Sequence, residues 1–149
     1  LTTATDGPST IVGHAEFVVD IRHPDAGTLQ ALRDECASIC RAVGEGADCA
    51  VVVEQRISVP PTDFDPRCIA ALENGAIARG YDHRRISSGA LHDAANVAKI
   101  APTAMIFVPC KDGISHNVRE YASPEDLAAG ANVLMDAMLG LAEVRSRSQ

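Results

Sequence analysis

The chain has 149 residues, of which 46% are hydrophobic and 22% charged, with five cysteines and no tryptophan. This composition suits one domain or two small ones with an aliphatic core, and it excludes a chain that is disordered throughout. The net charge of −7 argues against a nucleic-acid-binding protein, and the lack of an apolar run of about 20 residues argues against a membrane protein.

The first predicted elements are a strand and a helix. Apolar and polar residues alternate over residues 15–21, which predicts a strand that stops before Pro24. Apolar side chains at three- and four-residue spacing then predict an amphipathic helix. Asp25 is suited to cap its start, and Gly44 and Gly46 are suited to end it.

A second strand and a break follow this helix. Three consecutive valines predict a strand at 49–57, and Pro60 and Pro61 mark a candidate domain boundary. With the preceding strand and helix, this segment completes one α+β unit.

Beyond the break, helices and strands alternate, as in an α/β layer. The predicted elements are a helix at 65–79 opened by Asp65-Pro66 and ended by Gly80, strands at 84–87 and 103–109, a short helix at 91–99, and a last helix that Ser123 caps with Pro124 in its first turn. The strand at 103–109 is continuously apolar, which predicts burial on both faces. These strands are too few for a self-standing sheet, so we expect two half-domains.

The cysteines are odd in number and irregular in spacing, unlike a disulfide framework. Cys36 and Cys40 lie one turn apart on the predicted helix, and we interpret them as buried thiols on its apolar face. No signal peptide is visible, and we expect a cytoplasmic protein.

The polar loop after the strand at 103–109 carries His116 and, four residues later, Glu120. Loops at the carboxyl ends of buried strands commonly bind ligands in α/β proteins. A neutral imidazole is a good ligand for zinc and similar ions, and a nearby carboxylate can orient it. A solvated loop histidine fits the same pattern, so both interpretations stay open.

A second candidate segment contains Ser88, Gly89, His92 and Asp93. A turn at Gly89 before a helix exposes backbone N–H groups that can hold an anion, and Asp93 could fix the tautomer of His92. The alternative is a serine-capped helix start with a surface histidine.

A third candidate lies at the end of the first strand, where Arg22 follows Asp20. The planar guanidinium suits the binding of a carboxylate. An ion pair between these two side chains is the alternative. Nothing in the sequence fixes an activating base beside Cys110, which argues against cysteine catalysis.

Several segments occur in the order in which one family carries them. They are EFVVDIRHPD from Glu16, SGALHDA from Ser88, PTAMIFVP from Pro102 with GISH from Gly113, and SPEDLAAGANVL from Ser123. Together they resemble the C-terminal portion of the N-carbamoyl-L-amino-acid hydrolase and allantoate amidohydrolase family, over nearly all of residues 11–142.

The resemblance implies an α/β protein in two parts. Residues 1–58 would form the second half of a small α+β, ferredoxin-like lid and dimerisation domain. Residues 59–149 would form the C-terminal part of a zinc-aminopeptidase-like α/β catalytic domain. The implied partners are a missing N-terminal portion or subunit, a second copy in a homodimer, and a small carbamoyl or ureido substrate.

The resemblance also implies roles for individual residues. His116 would be the last protein ligand of a centre of two divalent ions, zinc or manganese. Arg22 would bind the substrate carboxylate in the active site of the partner subunit, together with the backbone N–H of Gly89. The other implied residues are Ser88 and His92, which would face the substrate, and Asp93 and Glu120, which would support the site from behind.

This chain departs from the family pattern in three ways. Ser9 stands where the family has an asparagine that helps to hold the carboxylate, and a serine reaches less far. Leu91 stands in place of a glycine, and we expect its side chain to narrow the turn. The family's general-base glutamate and other metal ligands lie upstream, so we expect no catalytic residue within this chain, and one histidine cannot hold two metal ions.

The function implied is that of part of a metal-dependent amidohydrolase that cleaves linear carbamoyl or ureido C–N bonds with metal-activated water. N-carbamoyl-L-amino acids are the first substrates to expect and allantoate the next, and the isolated chain should be inactive. The alternative is a non-catalytic dimerisation module or a decayed fragment of such an enzyme.

Overall fold

The computed structural model describes the backbone of residues 2–4 and 11–146, and side chains from residue 11 to 142. The chain divides into two compact units, Leu1–Pro61 and Thr62–Gln149. The assignment of residues 1–58 to a lid and 59–149 to a catalytic domain stays a prediction.

The first unit contains a short hairpin and one long helix. Strands β1 (Thr2–Ala4) and β2 (His14–Glu16) pair antiparallel, with Thr3 opposite Ala15. Helix α1 (Ala26–Gly46) begins as predicted at Asp25, whose carboxylate accepts a hydrogen bond from the Thr28 backbone N–H at 2.7 Å. Hydrogen bonds from Thr28 also lower the pKa of Asp25 below its ordinary value.

The C-terminus of α1 differs in detail from the prediction. The helix ends at Gly46, but the left-handed residue that terminates it is Asp48, at φ 52°. The Cys49 N–H donates to the Gly44 carbonyl at 2.9 Å, which closes a Schellman motif. Gly44 is needed for another reason, because a Cβ atom there would lie 2.2 Å from Cγ2 of Val51.

The second unit is built on two packed helices, α2 (Pro66–Ala78) and α4 (Pro124–Ser146). A short helix α3 (Ala94–Val97) and a 3-10 turn (Lys111–Gly113) lie between them in sequence. Among the side chains of this unit that the structure describes, the buried apolar ones lie on the two long helices: Ala76, Val133 and Ala137. Gly75 allows a close approach, because a Cβ atom there would lie 3.2 Å from the Val133 carbonyl oxygen.

The predicted caps of these helices are confirmed. Asp65 accepts from the Arg67 N–H at 2.8 Å at the start of α2, and the Asp126 N–H donates to Ser123 Oγ at 3.0 Å at the start of α4. Gly80 ends α2 in the left-handed region, at φ 68°. Hydrogen bonds from Arg67 lower the pKa of Asp65 to about 2, so this carboxylate stays charged well below neutral pH.

An ion pair joins the end of α2 to α4. Arg79 donates two hydrogen bonds to the Asp136 carboxylate, at 2.5 and 2.9 Å. These bonds hold the pKa of Asp136 below its ordinary value. The forked guanidinium–carboxylate geometry fixes the rotation of α4 on α2 more tightly than apolar contact alone would.

The strand predictions are largely wrong for the described residues. The predicted strand at 15–21 is reduced to β2, and the segments 49–57, 84–87 and 103–109 join no ladder with any described residue. A strand is stabilised by hydrogen bonds to a neighbouring strand, and alternating or apolar sequence cannot supply that neighbour. The described part is therefore mainly helical, and it shows no ferredoxin-like sheet.

The same segments leave apolar side chains in contact with solvent. Val52 is 82% exposed, and Phe107, in the segment predicted to be buried on both faces, is 47% exposed. On α1, Leu32, Cys36 and Ile39 line a shallow apolar depression. Cys36 is half-buried there, and this burial raises the pKa of its thiol. Among the described helices, none is long and apolar enough to cross a membrane.

The contact of α4 with the segment 103–109 can be tested with two glycines of the same helix. A Cβ atom at Gly130 would lie 2.5 Å from Cγ1 of Val108, whereas one at Gly140 would meet nothing within 4 Å. We expect Gly130→Ala to lower the free energy of unfolding by about 1–2 kcal/mol, because the stiff valine must move. Gly140→Ala should raise it by up to about 1 kcal/mol through helix propensity. Urea unfolding followed by circular dichroism measures both, and equal effects would show that Val108 does not pack on α4.

Candidate functional site

The loop that carries His116 is closed by its own backbone. The Lys111 N–H donates to the Tyr121 carbonyl at 2.8 Å, which joins the two ends of the loop. Inside it, Asp112 and Gly113 lie in the left-handed region, at φ 57° and 65°. His116 lies there too, at φ 56°, which is uncommon for a residue with a side chain.

Glu120 binds the backbone of His116 rather than its ring. Its Oε2 accepts a hydrogen bond from the His116 N–H at 3.0 Å, and its Oε1 accepts from Cys110 Sγ at 3.8 Å. The sequence predicted that this carboxylate would support the imidazole. In the structure it supports the peptide unit that carries the imidazole, and the His116 side chain is exposed.

In the segment 88–93, Ser88 and His92 are joined directly. Ser88 Oγ lies 2.6 Å from Nε2 of His92, and it also accepts from the Ala90 N–H at 3.2 Å. The half-buried His92 ring meets Phe107 edge to face, with 5.5 Å between the ring centroids. Sequence reasoning missed Phe107, which it treated only as part of a strand, because no sequence pattern relates it to a histidine 15 residues earlier.

Asp93 and Gly89 occupy other positions in the same segment. Asp93 precedes α3 without capping it through its side chain, so neither that carboxylate nor a serine caps this short helix. It forms no hydrogen bond with the His92 ring among the described contacts, and Ser88 is the partner of His92 where we predicted Asp93. Around Gly89 the space is open, since a Cβ atom there would meet nothing within 4 Å.

In the first unit, Arg22 forms an ion pair with Asp20, which was the alternative to carboxylate binding. Its Nε donates to Asp20 Oδ1 at 3.0 Å and its Nη2 to Oδ2 at 2.5 Å. The hydrogen bonds lower the pKa of Asp20 and raise that of Arg22. The Arg22 side chain is 60% exposed. The prediction for Ser9 lies outside the described residues.

The described residues do not form a metal centre among themselves. No group of three or more His, Cys, Asp or Glu side chains in that part of the chain could hold a metal ion. Catalytic zinc generally takes about three protein ligands. The exposed imidazole of His116 is suited to supply one ligand of a centre, but not the centre.

Comparison with known proteins gives a consistent result. The model of peptidase family M20/M25/M40 matches residues 4–140. An N-carbamoyl-L-amino-acid amidohydrolase of Rhizobium meliloti is 40% identical over 91% of this chain and 33% of its own length. An allantoate amidohydrolase of Bacillus subtilis is 28% identical over 95% of this chain and 34% of its own. The chain thus spans about a third of the length of the curated relatives it matches.

Solved structures agree. The crystal structure of an amidase of the hydantoinase/carbamoylase family from Burkholderia multivorans matches 79% of this chain and 29% of its own, with a TM-score of 0.69 and 48% identity. A hydantoinase/carbamoylase family amidase from Burkholderia ambifaria matches with a TM-score of 0.72 and 36% identity, over 79% of this chain and 28% of its own.

The link between Ser88 and His92 can be tested by removing the hydroxyl. We expect Ser88→Ala to change the imidazole ¹⁵N chemical shifts of His92, because its Nε2 loses a hydrogen-bond partner. Ser87→Ala is the matched control and should leave those shifts unchanged. Identical His92 spectra in both variants would show that the hydrogen bond is absent in solution.

Proposed function

Because the chain belongs to peptidase family M20/M25/M40, we propose that it forms the C-terminal part of a metal-dependent amidohydrolase that cleaves N-carbamoyl-L-amino acids. The observation that carries the proposal is the 40% identity with an N-carbamoyl-L-amino-acid amidohydrolase over 91% of this chain. Allantoate is the next substrate to consider, because an allantoate amidohydrolase is 28% identical over a similar span.

The proposal includes the rest of the enzyme. Residues 1–58 would complete a ferredoxin-like lid that pairs two subunits, and residues 59–149 would complete a catalytic domain. The segments 49–57 and 103–109, which join no described strand, support this, because exposed apolar side chains such as Val52 and Phe107 suit strands of larger sheets. The other strands would come from an N-terminal portion or subunit.

His116 is the proposed contribution of this chain to the metal centre. The family is generally metal-dependent, and such a centre would polarise the scissile carbonyl and activate water. A loop histidine with an exposed ring and a fixed backbone is suited to serve as one ligand. The other ligands and the general base would lie outside this chain. The metal would be zinc or manganese.

Arg22 and the segment 88–93 are proposed to bind the substrate. Asp20 binds Nε and Nη2 of Arg22 and so fixes the plane of the guanidinium, whose far end would bind the substrate carboxylate. The backbone of Gly89 and the linked side chains of Ser88 and His92 would bind the remaining polar atoms of the substrate. These two groups lie in different units, and in the proposed dimer Arg22 would act in the active site of the partner subunit.

A non-catalytic dimerisation module is the second candidate. It is favoured by the apolar depression on α1. The two candidates differ in what His116 does, because only an enzyme needs its imidazole.

A chimera tests the role of His116. Residues 11–142 of this chain would replace the matching third of the Rhizobium meliloti amidohydrolase. We expect the chimera, loaded with zinc or manganese, to release the carbamoyl group from N-carbamoyl-L-amino acids. His116→Ala should reduce kcat/KM by at least about 100-fold. Loss of a residue that only supports a metal ligand already lowers activity about 10- to 100-fold, and loss of the ligand itself should lower it at least as much. The control His83→Ala should have little effect.

The outcomes separate the candidates. A folded chimera without activity on either carbamoyl amino acids or allantoate would favour the dimerisation module. An active chimera that tolerates His116→Ala would retain the amidohydrolase and remove His116 from its metal centre.

Substrate binding by Arg22 is tested in the same chimera. Arg22→Ala should raise KM for N-carbamoyl-L-amino acids by about 10- to 100-fold, because a hydrogen bond to a charged group contributes about 1.5–3 kcal/mol. Inhibition by an N-carbamoyl amine that lacks the carboxylate should not change. Arg41→Ala, on exposed α1 surface, is the control. An equal loss for both compounds would mean that Arg22 does not bind the carboxylate.

A further inference from the structure

The carboxylate of Glu120 links the start of the loop to its centre. One oxygen accepts from the thiol of Cys110, the residue before the 3-10 turn, and the other accepts from the backbone N–H of His116. Next to these contacts, the Lys111 N–H donates to the Tyr121 carbonyl and closes the loop. A single side chain therefore connects both ends of the loop to the residue that carries the imidazole.

The backbone of His116 needs such a partner. A residue with a side chain adopts positive φ at a cost, and it persists there only when its surroundings hold it. Nearby, Asp112 and Gly113 are left-handed as well, so the loop combines several turns that a flexible chain would rarely adopt together. The His116 N–H donates to the Glu120 carboxylate, so a side chain binds the peptide unit at the strained position.

The direction of the ring follows from the direction of the backbone. If residue 116 returned to negative φ, its Cβ would point elsewhere and the imidazole would move with it. The proximity in sequence of a carboxylate and a histidine therefore does not mean that one binds the ring of the other. In this loop the Glu120 carboxylate binds the backbone amide of His116 and not its ring.

We propose that Glu120 is a positioning residue, which holds His116 in the left-handed conformation so that its imidazole projects from the loop at a fixed angle. The chemical consequence, a better-placed metal ligand, rests on the proposed function. The conformational part does not, because it concerns only the described loop. Glu120 needs no contact with substrate or metal for this role.

Amide hydrogen exchange of the chain tests the conformational part. In Glu120→Ala, exchange of the His116 amide should rise at least about 10-fold, because its acceptor is lost, whereas α2 and α4 should keep their protection. Glu120→Gln retains one carbonyl oxygen and should raise exchange less than about 3-fold. Glu54→Ala, at an exposed glutamate of the other unit, is the control. An unchanged His116 amide, or an equal rise throughout α2 and α4, would overturn the proposal.

Zinc affinity of the chimera tests the chemical consequence. With a chelator as competitor, Glu120→Ala should weaken zinc binding about 10- to 100-fold at an unchanged melting temperature, and Glu120→Gln should restore most of it. Unweakened binding in Glu120→Ala would contradict a positioning role. A wild-type chimera that retains no zinc would contradict the proposed function. The exchange experiment would then still decide whether Glu120 holds the backbone of His116.

Discussion

The need of backbone N–H and C=O groups for partners governs this structure. Helices satisfy that need within a short stretch of sequence, and α1, α2 and α4 are all present, each with a side-chain cap at its N-terminus. Strands satisfy it only across the chain, and 49–57 and 103–109 have no neighbouring strand among the described residues. The helices and the exposed valines both follow from this difference between local and non-local pairing.

Local signals in the sequence were accordingly reliable. Asp25, Asp65 and Ser123 cap helices where predicted, because an N-cap is decided by residues within one turn of each other. The α1 terminus shows the limit of such reasoning, since Gly44 is used for close packing and Asp48 takes the left-handed position. Both choices depend on where the chain goes next, which spacing does not reveal.

The candidate site shows the same division. The sequence brought Ser88 and His92 into one segment, and the structure joins them, but the contact of His92 with Phe107 required the fold. Likewise the pairing of His116 with Glu120 was visible as a four-residue spacing, whereas the atom that Glu120 binds was not. The family resemblance implied the functional roles of these residues. The sequence pattern alone was equally consistent with a solvated histidine or a helix cap.

We propose that this chain supplies one metal ligand, His116, to a centre completed by other residues. Equilibrium dialysis of the isolated chain against micromolar zinc, with and without His116→Ala, tests it most directly. A single histidine binds zinc weakly, so we expect no retained zinc that depends on His116. Retention of about two zinc ions per chain, lost on His116→Ala, would show that the chain builds a whole centre by itself and would contradict the account.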